Sequence, residues 1–175
     1  MTPPPDTLLH RWPGPFGGVP PWEAAQPERF VELFEQGIDH AQAEYQRIPE
    51  QPEEPCFENT FVPLETAGET LRQLEAVFWV HAGNLNLDPM PEIQKQVMPM
   101  LAAHRDWVKQ NQRLFQRIER VYRDTDLGEL SEQQRRLVED YYLEFVRDGA
   151  RLDAADKEKL AAMNQRLAVL HADFS

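Results

Sequence analysis

Cysteine is almost missing from this chain: Cys56 is the single one among 175 residues. One thiol cannot close an internal disulfide, so the fold must rest on its core, and a reducing compartment, the cytoplasm, is expected. Basic charge is also short. Acids outnumber Lys and Arg by 30 to 18, for a formal net charge of −12. Phosphate backbones require clustered cations, so this balance argues against nucleic acid as a partner. Long apolar runs are missing too. AVFWV is among the longest, far short of the roughly 20 residues that cross a bilayer. The opening MTPPPDTLLHRW has no basic segment leading into an apolar one, so no secretory leader is expected. No useful strand-like alternation and no fixed-period repeat is evident, which leaves the helix as the organising element.

Proline and glycine dominate the start. Eight of the 15 prolines fall within the first 27 residues, beside Gly14, Gly17 and Gly18. Proline fixes φ and removes a donor, so residues 1–26 are expected to form an extended arm. Leu8, Leu9, Trp12, Phe16 and Trp22 give that arm enough apolar surface to lie against the body. Residues 27–175 then read as one all-α domain of about five helices in long hairpins.

Pro27 suits a first helical turn. Phe30, Phe34, Ile38, Ala41, Tyr45 and Ile48 recur at three- and four-residue steps, and Pro49, Pro52 and Pro55 end that helix. The stretch PCFENTFVPLETAG opens the second helix. Asn59 or Thr60 can cap it, Pro63 falls in its first turn, and Leu64, Leu71, Leu74 and Phe78 follow on one face. Asp88 is the expected cap of a third helix, with Ile93, Val97, Met100, Leu101, His104, Val108, Leu114, Phe115, Ile118 and Val121 as its buried stripe. Pro99 inside it predicts a kink or two abutting helices, since a continuous helix to Tyr122 would be about 48 Å long. Ser131 and Gln134 form a capping box for the fourth helix, which carries Leu137, Val138, Tyr141, Tyr142 and Phe145 and is closed by Gly149. Asp153 caps a fifth helix through Leu160, Met163, Leu167, Leu170 and Phe174. No Gly or Pro stop follows, so this helix is expected to continue into a longer protein, with its apolar face exposed here.

Chemistry is sparse. His10, His40, His81, His104 and His171 start no H-E-x-x-H pair, and none ends an E-x-x-H. His40 and Glu44 share a helix face, but two ligands do not make a metal site. His81 and His104 lie on apolar stripes and read as core or rim histidines. Cys56 has no activating constellation and reads as structural. Glu50, Glu53 and Glu54 read as a solvated acidic turn, Trp79 and Trp107 as core, and GPFGGVP as no phosphate loop. No catalytic, cofactor-binding or metal-ligating residue is assigned.

Four ordered segments carry a resemblance. WPGPFGGVPPWEAAQPERFVELFE, FENTFVPLETAGETLRQLEAVFWVHAGNLN, MLAAHRDWVKQNQRLFQRIERVY and YYLEFVRDGARLDAADKEKLAAMNQRLAVLHADFS together resemble the N-terminal portion of the thimet-oligopeptidase-like zinc metallopeptidases. Within that family the chain is most similar to bacterial peptidyl-dipeptidases (dipeptidyl carboxypeptidases), with oligopeptidase A more distant. The resemblance spans about Leu8 to Ser175. It implies a zinc peptidase whose H-E-x-x-H helix and later Glu lie in a C-terminal catalytic part of the same polypeptide, outside these residues. It also implies that these helices form scaffold and one wall of a channel admitting short peptides. A free-standing helical interaction module is the alternative.

Overall fold

The computed structural model describes residues 8–12, 14–15, 18–85, 88–124 and 129–174. Phe16 and the side chains of His171 and Phe174 lie outside what it describes. Among the described residues every regular element is helical: α1 (Phe30–Glu50), α2 (Phe57–Thr66), α3 (Glu69–Val80), α4 (Met90–Lys109), α5 (Gln112–Asp124), α6 (Glu132–Arg147) and α7 (Ala154–Phe174). Short 3₁₀ turns at Trp22–Ala24 and Pro27–Arg29 precede α1, and a π-helical turn, His81–Leu85, follows α3. The all-α class holds; the helices are more numerous because two of the expected ones are divided.

The first division falls at Gly68. Its φ of +72° is left-handed, a region open to glycine and costly for a residue with a Cβ, and it separates α2 from α3. The second falls at Gln110–Asn111. There the Asn111 side chain accepts a hydrogen bond from Leu114 N at 3.0 Å and starts α5. Pro99 does not break α4, which runs past it. Losing one backbone bond costs less than interrupting the stripe of Ile93, Val97 and Leu101, all buried.

Helix starts follow local chemistry. Ser131 Oγ accepts from Gln134 N while Gln134 Oε1 accepts from Ser131 N, and Asp153 Oδ1 accepts from Asp156 N. Gly149 closes α6 with a φ of +90°. The α2 start lies earlier than the sequence suggests. Cys56 is the flanking residue, and Asn59 acts from inside the first turn, accepting from Cys56 N and donating to the Glu54 carbonyl. Pro63 is therefore mid-helix rather than in the first turn. Its missing N–H frees the Asn59 carbonyl, and Gln51 Nε2 donates to it at 3.1 Å. Asp88 sits in a turn before α4, at whose start Ile93 N donates to the Pro89 carbonyl at 3.1 Å.

The chain divides into two compact units, and α1, α4 and α7 contribute residues to both. In the unit formed by Met1–Ala41, Gly68–Ala102 and Gln165–Ser175, Phe78 meets Phe30 and Phe34 edge-to-face at 5.2 and 5.1 Å. Leu8, Leu9 and Trp12 are buried. Leu9 closes on α1 at Gly37, where a Cβ would stand 3.2 Å from Leu9 Cδ2 and 3.3 Å from Leu71 Cδ1. In the unit formed by Gln42–Ala67 and Ala103–Asn164, α2, α5 and α6 pack around Phe61, Leu64, Leu114, Ile118, Val138 and Phe145. Most stripe residues are buried as the periodicity predicts. Met100 is half-buried, and Trp79 is exposed, because it lies one helical step off the buried face of Leu71, Leu74 and Phe78.

Candidate functional site

Arg113, Arg117 and Arg120 occur at four- and three-residue steps on α5, so they share one face. That face meets the proline-rich segment 49–55. The last carbonyls of a helix lack internal partners and carry partial negative charge, and prolines in the following turns leave few donors to satisfy them. The arginines supply those donors. Arg113 Nη2 donates to the Pro49 carbonyl at 3.2 Å. Arg117 Nη1 donates to the carbonyls of Gln51 and Glu53 at 3.3 and 3.2 Å, and Arg117 Nε to Thr60 Oγ1 at 3.2 Å. Thr60 is fully buried and donates its own hydroxyl hydrogen bond to Asn59 Oδ1. The three arginines, with Pro49, Glu54 and Pro55, line an open groove of about 320 Å³.

Arg117 is only 6 % exposed, and its Nη2 has no hydrogen-bond partner. Arg120 pairs with Asp124 at 2.6 Å and stands 4.0 Å from Glu54. Guanidinium stays protonated in any ordinary medium, so these groups can bind and polarise but cannot shuttle protons.

The histidines do not converge. His40 and Glu44 are exposed on α1, and His10 is exposed ahead of it. His81 is buried, with Nδ1 2.9 Å from the Val77 carbonyl and its ring near Phe30 and Trp22. His104 is buried between Tyr45 and Trp107, and its Nδ1 has no partner. Burial first, and Arg105 second, hold its pKa below the ordinary 6.5. Cys56 is a partly buried free thiol at the start of α2. Tyr141 donates to Glu65 at 2.6 Å; burial and that bond push its pKa upward. Among the described residues no group of three or more His, Cys, Asp or Glu could hold a metal ion. No described helix is long and apolar enough to cross a membrane.

Arg117 escaped sequence reasoning because a lone arginine reads as solvent-facing. The available signal was three arginines on one helix face of an acidic chain. α7 shows the opposite pattern: Met163, Leu167 and Leu170 are 64, 54 and 48 % exposed.

No model of a protein family matches the chain. It is similar to dipeptidyl carboxypeptidase of Escherichia coli (strain K12), with 32% identity over 142 residues, and to that of Salmonella typhimurium, with 28% over 142 residues. Each alignment covers 81% of this chain and 21% of the relative. The chain thus spans about a fifth of the length of the curated relatives it matches. Over four fifths of its own length, it is a relative of the bacterial dipeptidyl carboxypeptidases.

Proposed function

We propose that this chain is the N-terminal helical portion of a zinc-dependent peptidyl-dipeptidase. It forms scaffold and channel wall for the hydrolysis of short peptides and does no chemistry itself. The observation that carries this reading is the 32% identity to a dipeptidyl carboxypeptidase over 142 residues. Two features support the division of labour. The 175 residues contain no H-E-x-x-H, the pattern that places two zinc ligands and a general base on one helix face. α7 also leaves Met163, Leu167 and Leu170 in solvent, and an apolar stripe of that kind is suited to packing against further protein. The partner is then the catalytic part of the same polypeptide, which holds the zinc. The single cysteine is compatible with a reducing, cytoplasmic setting.

The test is to read the gene beyond the codon for Ser175. An open frame that reaches an H-E-x-x-H is expected. A stop codon directly after Ser175 would overturn the reading and favour a free-standing interaction module.

A further inference from the structure

We propose that the arginine groove of α5 is a binding site for a small carboxylate. The chain carries a net charge of −12, yet Arg113, Arg117 and Arg120 stand together in one groove. Among the described residues no carboxylate pairs with Arg113 or Arg117; Glu54 and Asp124 both address Arg120. A buried cation with only neutral acceptors is costly, because carbonyls do not cancel its charge.

Satisfying the end of α1 explains part of the cluster. It accounts for Nη2 of Arg113 and for Nε and Nη1 of Arg117. It does not account for Nη2 of Arg117, which is buried and unpartnered in a residue only 6 % exposed. Nor does it account for the groove of about 320 Å³ that Arg117 lines with the two exposed arginines. The neutral acceptors fix the Arg117 guanidinium in place without cancelling its charge. The bound anion lies between Arg113 and Arg120, drawn by the buried charge of Arg117.

Charge selects the ligand. Three cations against the carboxylates of Glu54 and Asp124 leave one uncompensated positive charge, which a monoanion cancels and a dianion overshoots. The planar fork of arginine matches the two oxygens of a carboxylate.

The site is independent of peptidase chemistry, and so is its test. The ¹⁵N-labelled 175-residue chain is titrated with sodium acetate, exchanged for sodium chloride at constant ionic strength, while the arginine Nε–H and α5 amide signals are followed by NMR. A saturable shift centred on the Nε–H signals of Arg113 and Arg120 is expected, with inorganic phosphate binding more weakly. The double variant Arg113→Gln/Arg120→Gln, which spares the buried residue, should weaken acetate binding by about tenfold while its melting curve stays close to that of the parent. Arg117→Met should abolish saturation. A shift that grows linearly without saturating, one that phosphate reproduces equally well, or one that the double variant leaves unchanged would each overturn the proposal.

Discussion

α5 and α7 both carry apolar residues at helical spacing, but they meet opposite fates. On α5, Leu114, Phe115, Ile118 and Val121 are at most 2 % exposed, covered by α2 and α6. On α7, Met163, Leu167, Val169 and Leu170 are at least 41 % exposed. Periodicity therefore marks a face suited to burial and says nothing about what buries it. The difference also separates residues that hold this chain together from residues available to something else.

Substitutions can break or sharpen that contrast. Ile118→Ala removes a side chain with no exposure and should cost about 3 kcal/mol or more in urea unfolding, since the cavity cannot fully collapse. Arg117→Met strands the acceptors at Gln51, Glu53 and Thr60 and should cost about 2 kcal/mol in the same assay. Ser131→Ala deletes one arm of the α6 capping box, for a loss of about 1 kcal/mol.

His104 gives a dependence on pH. Its folded pKa lies below the ordinary 6.5, so as pH falls below that value the unfolded chain takes up a proton first. Stability is lost as pH falls towards the folded pKa. Urea midpoints measured on either side of that window should show this loss in the parent and a smaller one in His104→Gln.

The smallest effect belongs to α7. Converting Met163, Leu167 and Leu170 to Gln should change stability by no more than about 0.5 kcal/mol per site, while any concentration-dependent association seen in sedimentation decreases. A loss of several kcal/mol would show that these residues are buried after all.

Much of this was legible in the sequence, for local reasons. Ser131 with Gln134 and Asp153 with Asp156 are short-range devices whose partners lie three residues away. The stripe on α4 and α5 was legible too, but the stop at Asn111 was not, because the apolar spacing continues across it; the asparagine cap was the signal. Pro63 pointed to a first turn, yet its lost donor is offset by Gln51, whose approach no local pattern reveals. Residue type alone points Trp79 to the core, whereas its position on α3 decides its exposure. Arg117 is the same lesson in reverse. Its burial depends on a segment more than 60 residues earlier in the chain, and helical spacing carries no information at that range.

The most direct measurement asks whether the 175-residue chain cuts peptides by itself. The pure protein is incubated with short unblocked peptides, with added zinc or with a chelator, and the products are read by mass spectrometry. The expected result is no chelator-sensitive release of dipeptides under any of these conditions. Chelator-sensitive release by this chain alone would contradict the assignment of its helices to scaffold and place catalysis among these residues.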